Sequence, residues 1–584
     1  MTTVLNSVDD FAGEATAGLV LAHRRLVRAV PGGVVRATQA SAPKVALVVG
    51  GGSGHYPAFA GWVGRGLADG AVVGNVFASP SARQICAVAR AAERGRGVLL
   101  GYGNYAGDVL NFDAAARALR AEGLDVRSVA VSDDIASADG EDPSTRRGIA
   151  GDLVVLKVAG AAAERGLSLA DVAHLAHLAN ARTRSLGVAF SGCTLPGADR
   201  PLFSVRPGGM GVGMGVHGEP GLSEDDLVPS RELAARLVAA LVAARPAGAG
   251  DRAAVLLNGL GSTKYEELFV LWHDVVRELE AHGIQPVAPE VGELMTSLDM
   301  AGVSLTMSWL DGPLEELWLA PAQTPAFVRG TLVDDGAADA SVVTQAHAAD
   351  RPGALPALPG GDAWANEEHV AEPSASVAAA PVLLELTAAV HRALVEREQQ
   401  LGALDAVAGD GDHGRGMVTG ASAALTAVED AVASGAGVGR ALVAAGEAWA
   451  AKAGGTSGAL WGEMLRSAGT TMLSGADPRS LWTVARAVSA AVDQLQAVGG
   501  AAVGDKTIVD AAVPFAAALQ HAAAAGESLP SAWAAAAATA RTAADGTGRM
   551  VARRGRARPH AERSLGHPDP GATSFAHVVA AVCR

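Results

Sequence analysis

The chain has 584 residues, more than a single hydrophobic core normally serves, so two to four domains are expected. Its formal net charge of −15 argues against a nucleic-acid partner, because phosphate backbones are bound by clusters of Lys and Arg. No charged N-terminal segment leads into an apolar stretch, and the Ala-rich segment 534–540 is too short to cross a bilayer. Three cysteines without metal-ligand spacing fit a reducing compartment, so we expect a cytoplasmic protein without membrane association.

Residues 1–330 alternate short apolar runs with helical stretches, which predicts an α/β domain. Ala-rich amphipathic stretches such as Leu233–Ala244 separate some of the runs. The predicted strands are Val45–Val49, Val98–Leu100, Val129–Val131, Val154–Leu156, Ala254–Leu257 and Val303–Met307.

Residues 331–378 contain Pro- and Gly-rich segments without periodicity and are predicted to form an interdomain linker. From 379 to 584 the chain has almost no strand pattern, which predicts an all-α second domain. The predicted helices are Val382–Gln400, Ala421–Ala433, Ala441–Lys452, Pro478–Ala497, Thr507–Ala524, Ser531–Asp545 and Phe575–Val582.

A loop in the second domain carries three carboxylates within eight residues: Asp405, Asp410 and Asp412. Such a group repels itself unless a cation lies among its members, and the intervening glycines let all three face one point. Oxygen ligands favour Mg²⁺ or Ca²⁺ over Zn²⁺, and the spacing does not match an EF-hand. The alternative is an ordinary Asp/Gly turn on the surface.

Three further loops accompany the carboxylates: Gly454–Gly458, Gly504–Thr507 and Asp569–Ser574. The first precedes a helix, whose exposed N–H groups can bind phosphate. The last is a stiff turn that could cover a nucleotide. The chain has no Gly-x-x-x-x-Gly-Lys-Ser/Thr motif, so a P-loop enzyme is not expected.

In the first domain, Gly52-Ser53-Gly54-His55 follows a predicted buried strand. The spacing does not fit a dinucleotide fingerprint, and a lone His after a strand is usually structural. Two further segments, Asn104–Asp108 and the loop around His217, favour a substrate site for a small polar molecule instead. Together the two halves suggest a kinase without a P-loop.

These segments together resemble the dihydroxyacetone kinase family. The motifs that carry the resemblance are GGGSGH, NYAGDVLNF, GMGVHGEPG, LDAVAGDGDHG, GGTSGALWG, GDKTIVDA and ERSLGHPDPGA, and only the linker lies outside it. The resemblance implies a ketose-binding K domain of two α/β subdomains, followed by an ATP-binding L domain that forms an antiparallel helical barrel. It also implies a homodimer, often with domains exchanged between protomers.

For the first domain, the resemblance implies that His217 adds to the substrate ketone and forms a covalent hemiaminal, as a neutral imidazole can. Asp108 would be the general base for the terminal hydroxyl, with His55 as its partner. The implied substrate contacts are Gly52, Ser53, Gly54, His55, Gly103 and Asp108.

For the second domain, the resemblance implies that Asp405, Asp410 and Asp412 hold Mg²⁺ on the phosphates of ATP. The implied nucleotide contacts are Asp412, His413, Gly414, Gly455, Thr456, Ser457, Gly458, Gly500, Thr507, Arg556, Asp569, Pro570 and Gly571. Arg556 belongs to a basic cluster that could equally be a solvated face.

One position departs from the family pattern. The family usually has Lys directly before the Asn-Tyr-x-Gly-Asp segment, where this chain has Gly103. The loss of a long cationic side chain removes a polar contact and opens volume. We therefore predict a longer ketose, with the four-carbon erythrulose as the leading candidate and dihydroxyacetone as the alternative.

Other activities remain open from the sequence. Related phosphoenolpyruvate-dependent systems use the same two domains as separate subunits, so a fused chain favours free ATP as the donor. Some fused members also release a cyclic nucleotide from FAD. A non-catalytic ketose sensor would be expected to have lost its metal ligands, whereas all three Asp residues are present here.

Overall fold

The structure, a computed structural model, describes residues 4–38, 42–137, 145–219, 221–330, 372–409, 411–473, 477–554 and 562–583. It divides into two compact units, Met1–Ala365 and Asn366–Arg584. Most of the predicted linker, residues 331–371, lies outside the described residues.

The first unit is an α/β structure built on two sheets. Its helices are α1 (Phe11–Ala22), α2 (Ala82–Ala92), α3 (Ala106–Ala121), α4 (Asp152–Glu164), α5 (Leu169–Arg182), α6 (Ser230–Ala243), α7 (Tyr265–Ala281) and α8 (Gly312–Leu319). Its strands are β1 (Val27–Val30), β2 (Gly33–Arg36), β3 (Lys44–Ser53), β4 (Gly70–Val76), β5 (Gly95–Gly103), β6 (Val126–Val131), β7 (Thr183–Ala189), β8 (Gly209–Val212), β9 (Ser223–Asp226), β10 (Arg252–Gly259), β11 (Gln285–Pro286), β12 (Glu290–Gly292), β13 (Gly302–Trp309), β14 (Ala322–Gln323) and β15 (Val328–Arg329).

The first sheet has the strand order β1-β2-β4-β3-β5-β6. Strands β4, β3, β5 and β6 run parallel to one another, while β1 and β2 form an antiparallel edge. Helices α2 and α3 cover one face, and α4 and α5 cover the other, so the central strands are buried on both sides. The carboxyl ends of β3 and β5 carry the glycine-rich segments, and this is the edge where ligands bind in open α/β sheets.

The second sheet has the order β11-β10-β13-β7-β8-β9, with β12 also paired to β10. Its long strands are antiparallel, and helices α6 and α7 pack against it in a separate apolar core. The loop between β8 and β9 carries His217. The two sheets are consistent with the predicted pair of α/β subdomains.

The predicted strand Val154–Leu156 is wrong. These residues lie within α4, which is buried on all sides. A continuous run of apolar residues fits a fully buried helix as well as a fully buried strand, so periodicity alone could not distinguish the two. The other five predicted strands lie within β3, β5, β6, β10 and β13.

The second unit is helical throughout its described residues. Its helices are α9 (Ser374–Val395), α10 (Glu398–Asp405), α11 (His413–Ala433), α12 (Val438–Ala453), α13 (Gly455–Met472), α14 (Leu481–Gly499), α15 (Val509–Ala524), α16 (Leu529–Gly546) and α17 (Pro570–Ala581). From α11 onward each helix packs against the next one in the chain, and α17 packs against α9, which in turn packs against α11. The helices therefore close into a ring around a main apolar core, which confirms the predicted all-α fold.

The predicted helix Val382–Gln400 is in fact two helices. Helix α9 ends at Val395 and α10 starts at Glu398, so Asp405 lies at the end of the shorter one. Helix α9 begins at Ser374, inside the segment predicted as linker. It is also the one described helix that is long and apolar enough to cross a membrane, although core helices of soluble proteins meet the same criterion. The predicted absence of membrane association stays a prediction.

The three cysteines occupy different environments. Cys86 and Cys193 are buried, and burial raises the pKa of each thiol to about 11. Cys583 is exposed just beyond the end of α17. None of the three forms a disulfide.

Candidate active site

Two histidines from distant parts of the first unit meet in a buried pocket. His55 follows the end of β3, where Gly54 turns the backbone with a left-handed φ of +98°. Nε2 of His55 lies 3.0 Å from Nε2 of His217, and Nδ1 lies 2.8 Å from the carbonyl oxygen of Thr296. The structure thus brings together two of the three side chains that the sequence predicts to be catalytic.

The hydrogen-bond partners of this pair assign its protons. A carbonyl oxygen only accepts, so His55 carries a proton on Nδ1. Burial, followed by the neighbouring His217 ring, lowers the pKa of His55 to about 3. His55 is therefore neutral near pH 7, and its Nε2 is an acceptor. The proton between the two Nε2 atoms belongs to His217.

Glu219 holds the opposite side of the His217 ring. One of its carboxylate oxygens lies 3.1 Å from His217 Nδ1, and the other accepts the backbone N–H of His217 at 3.0 Å. Arg147 lies 3.7 Å from the same carboxylate, which favours the ionised form of Glu219. For both ring contacts to be hydrogen bonds at once, the His217 ring donates from Nδ1 to the carboxylate and from Nε2 to His55.

Aromatic rings enclose the histidine pair. Phe77 stacks on His55 with ring centroids 4.9 Å apart, and its backbone adopts a left-handed φ of +55°. Tyr105 meets the His217 ring edge-on at 4.8 Å, and its buried hydroxyl has no hydrogen-bond partner among the described residues. Such a setting excludes water and strengthens the hydrogen bonds within it.

The predicted substrate-binding segment after β3 packs tightly. A Cβ on Gly52 would lie 2.7 Å from the backbone nitrogen of Ala78, and a Cβ on Gly54 would lie 2.9 Å from the Phe77 ring. The fold itself therefore requires both glycines. The buried hydroxyl of Ser53 has no partner in the described part of the chain, and a ligand could supply one.

The other predicted substrate contacts lie where β5 meets α3. Gly103 is the last residue of β5, and Asp108 lies in the first turn of α3. Asp152, from the start of α4, approaches this place, because its Oδ2 lies 3.4 Å from the position that a Cβ on Gly103 would take. Burial, followed by the charges of Asp133 and Asp108, raises the pKa of Asp152 well above its usual value.

In the second unit, the starts of three helices converge on one histidine. His413 is the first residue of α11. Its Nδ1 lies 3.4 Å from the hydroxyl of Ser457 in the first turn of α13, and its Nε2 lies 2.9 Å from the hydroxyl of Ser574 near the start of α17. Helix N-termini present free N–H groups and a positive partial charge, so this convergence suits phosphate groups.

The carboxylate loop folds back over its first acid. Asp405 ends α10, and its Oδ2 accepts the backbone N–H of Gly411 at 2.9 Å. Gly411 has a left-handed φ of +79°, and a Cβ on Gly409 would lie 2.4 Å from Asp405 Oδ1. Asp412 directly precedes α11, whereas Asp410 lies outside the described residues. Within those residues no group of three or more His, Cys, Asp and Glu side chains is assembled for a metal, so the predicted triad stays a prediction.

Two further acids, Asp569 and Asp510, lie in the same region. Asp569 caps α17 by accepting the N–H of Ala572 at 2.7 Å, and Asp510 accepts the N–H of Thr507 at 2.7 Å. Burial raises the pKa of Asp569 to about 7, and the charges of Asp510 and Asp405 add to this effect. Oxygen atoms that repel one another in this way fit Mg²⁺, which prefers oxygen ligands.

The remaining predicted nucleotide contacts fall mostly at helix ends. Gly500 ends α14 with a φ of +58°, and Gly414 lets α11 approach α10, since its Cβ would lie 2.0 Å from the carbonyl oxygen of Glu398. Arg556 lies outside the described residues. Those that begin helices α13 and α17 are Gly455, Thr456, Ser457, Gly458, Pro570 and Gly571.

Two family models match the chain, the Dak1 domain over residues 17–326 and the DAK2 domain over residues 407–584. The chain belongs to the dihydroxyacetone kinase family.

Individual relatives of the family agree with this assignment. A D-erythrulose kinase from Mycolicibacterium smegmatis is 52% identical over 99% of this chain and 97% of the relative. An L-erythrulose 1-kinase from the same organism is 50% identical over 100% of this chain and 99% of the relative. The crystal structure of the dihydroxyacetone kinase from C. freundii in complex with AMP-PNP and Mg²⁺ is 29% identical, covers 100% of this chain and 99% of that chain, and has a TM-score of 0.52. These similarities confirm the predicted family, fold, kinase activity and use of ATP and Mg²⁺.

Several residues of the site were not predicted from the sequence. Glu219 was within reach, because it lies two positions after His217 in the motif that carried the resemblance. Ser574 ends the loop Asp569–Ser574 that the sequence singled out, but its contact with His413 was not predicted. Thr296 and Asp152 had no such signal, since only the fold brings them to the site.

Proposed function

We propose that this member of the dihydroxyacetone kinase family transfers the γ-phosphoryl group of ATP to a terminal hydroxyl of erythrulose or dihydroxyacetone. The ketose is held as a covalent hemiaminal on His217. The observation that carries the proposal is the His217 ring, bound at Nδ1 by Glu219 and at Nε2 by His55 inside a buried aromatic pocket.

The contacts of His217 suit carbonyl addition. Nε2 becomes a nucleophile when its proton leaves, while Nδ1 stays protonated against Glu219. A bond forms between Nε2 and the carbonyl carbon, the π electrons move to the carbonyl oxygen, and the proton from Nε2 ends on that oxygen. His55 is placed to relay this proton, because its neutral Nε2 faces the same atom at 3.0 Å. We therefore assign His55 to the His217 ring rather than to the terminal hydroxyl.

Asp108 is proposed as the base for that hydroxyl. The proton of the substrate hydroxyl would go to the Asp108 carboxylate as the hydroxyl oxygen attacks the γ-phosphorus and the bond between that phosphorus and ADP breaks. Its position in the first turn of α3, near Gly103 and Asp152, supports this role. The buried hydroxyl of Ser53 is proposed to contact the ketose, since it has no partner within the described chain.

The second unit is proposed to hold the nucleotide. The N-terminal turns of α11, α13 and α17 around His413 would bind its phosphates. Asp405, Asp410 and Asp412 would hold Mg²⁺, which when bound neutralises charge on the phosphate oxygens. Asp569 lies close enough to Asp405 for the two carboxyl groups to interact, so it would influence the ion.

Erythrulose is the preferred substrate in this proposal. Relatives named for D-erythrulose and for L-erythrulose are 52% and 50% identical to this chain, so similarity favours the four-carbon ketose without choosing a handedness. The glycine at position 103 agrees with this preference, because it lacks the long cationic side chain that the family usually has there. A homodimer is proposed as well and is testable by light scattering of the full chain.

The test combines two measurements on the full-length protein. With [2-¹³C]erythrulose, the carbonyl resonance should be replaced by that of a tetrahedral carbon in the wild type but not in His217→Gln. The surface variant His174→Gln on α5 should behave as wild type. Phosphorylation with ATP and Mg²⁺ should follow the adduct and need no phosphocarrier protein.

A second variant separates the two half-sites. Asp405→Asn should abolish phosphoryl transfer and leave the ¹³C adduct intact, because the carbonyl chemistry involves only residues of the first unit. Full-rate phosphorylation by His217→Gln, or an unchanged carbonyl resonance at saturating protein, would disprove the hemiaminal.

A further inference from the structure

Asp152 is a fully buried acid that the fold does not explain. Neither of its carboxyl oxygens has a hydrogen-bond partner among the described residues. Burial of an unpaired polar group is unfavourable for folding. Helix α4 does not need this side chain as a cap either, because Asp133 already accepts the N–H groups of Ile149 at 2.8 Å and Gly151 at 2.9 Å.

The carboxyl group of Asp152 lies beside the candidate ketose site. A Cβ on Gly103 would lie 3.4 Å from its Oδ2, and a Cβ on Gly148 would lie 2.9 Å from its Oδ1. The Tyr105 ring lies 3.3 Å from the same position on Gly103 and also contacts the His217 ring. Gly103, Asp152 and Tyr105 therefore form one corner, here called the Asp152 corner, that continues to His217.

The chemistry of this corner indicates the kind of group it would bind. Burial and the charges of Asp133 and Asp108 raise the pKa of Asp152 well above its usual value, and no cation is among the causes. These effects favour the neutral carboxyl group, which can both donate and accept a hydrogen bond. The Tyr105 hydroxyl, also buried and without a partner in the described chain, is neutral as well, since burial raises its pKa. A sugar hydroxyl matches this pair, whereas a carboxylate or phosphate would meet three nearby acids.

Resting on the ketose kinase proposed above, we propose that the Asp152 corner selects ketoses longer than three carbons by binding the hydroxyl on the carbon that a triose lacks. The oxygens of Asp152 and Tyr105 are closed to solvent, with the tyrosine ring packed against Gly103. A turn of that ring admits the sugar, and both buried groups then gain a hydrogen-bond partner. Selectivity arises because a triose leaves them unpaired.

The test measures kcat/KM of the full-length enzyme for D-erythrulose, L-erythrulose and dihydroxyacetone. Asp152→Ala should lower the ratio of the better erythrulose to dihydroxyacetone by roughly 10- to 100-fold, the range expected when a buried hydrogen bond to substrate is lost. Asp152→Asn should restore most of that ratio, because an amide also donates and accepts. Gly103→Ala should lower the ratio too, since its methyl group would occupy the corner. Asp113→Ala, an exposed acid on α3, is the matched control.

Thermal unfolding distinguishes this specificity role from a structural one. Asp152→Ala should melt at or above the temperature of the wild type, because it removes an unpaired buried acid. A lower melting temperature, an unchanged ratio, an equal loss for all three sugars, or an Asn variant as impaired as Ala would each overturn the inference. A wild type that phosphorylates none of the three sugars would instead refute the proposed function.

Discussion

Replacement of Glu219 by Gln should weaken the covalent capture of the ketose. The carboxylate binds His217 twice, at Nδ1 over 3.1 Å and at the backbone N–H over 3.0 Å, so it fixes the orientation of the ring. Glutamine keeps the length and one acceptor oxygen but loses the charge. Its NH₂ group can also donate to an unprotonated Nδ1, which stabilises the tautomer with the proton on Nε2 and blocks the nucleophilic atom.

The size of the effect follows from the bond that is lost. A hydrogen bond to a charged group contributes about 1.5–3 kcal/mol net, and the glutamine retains part of it, so we expect a loss of about 2 kcal/mol. This corresponds to about a 30-fold decrease in the equilibrium constant of the adduct, and to a similar decrease in kcat/KM. The pocket should stay folded, because Arg147 keeps its 2.8 Å ion pair with Asp134.

The ¹³C adduct titration measures the equilibrium constant directly, and ADP release measures kcat/KM. Glu280→Gln, an exposed acid on α7, controls for the loss of one charge. The reasoning fails if Glu219→Gln binds the ketose as tightly as the wild type and turns over at the same rate. It also fails if kcat/KM falls while the adduct population is unchanged.

Two further predictions concern stability. The pKa of His55 is about 3 in the folded protein, below the ordinary value of 6.5. At a pH between these two values, His55 is therefore protonated in the unfolded protein but not in the folded protein. The free energy of unfolding of the first unit should therefore fall as the pH drops through this window, and His55 alone should account for about 2 kcal/mol of the loss at pH 5. Hydrogen exchange at pH 7 and pH 5 measures this loss. It should be smaller by that amount in His55→Gln. In the second unit, Gly420→Ala places a Cβ 2.5 Å from the indole nitrogen of Trp449 and should destabilise by about 1–3 kcal/mol in thermal unfolding. Gly416→Ala, on the same helix with only one atom 3.9 Å away, should be neutral or stabilising, and equal melting temperatures for the two variants would contradict the packing described.

The division into an α/β half and a helical half was predictable because the two patterns of apolar residues differ over long stretches. Runs such as Val45–Val49 formed strands as expected, since a Val-rich run that ends in glycine suits a buried parallel sheet. The same pattern predicted a strand wrongly within helix α4, because a helix that is buried on all sides has no polar face to distinguish it from a buried strand.

The site was predictable only where a motif carries it. His55 and His217 stood out in their glycine-rich segments, but their contact depends on a fold that brings together residues 162 positions apart. The Thr296 carbonyl is a backbone group, which every residue has, so the residue type at this position gives no sign of its contact with His55. Nothing in the sequence singled out Asp152, and only the absence of any hydrogen-bond partner in the described chain marks it as unusual.

The distribution of thiols provides a ready attachment point for a reporter dye. Cys86 and Cys193 are shielded and hard to deprotonate, so a maleimide should modify the exposed Cys583 first. That residue follows the helix whose opposite end is the Asp569–Gly571 turn. A fluorophore on Cys583 would report on movements of the Asp569–Gly571 turn through helix α17, and no engineered mutation would be needed.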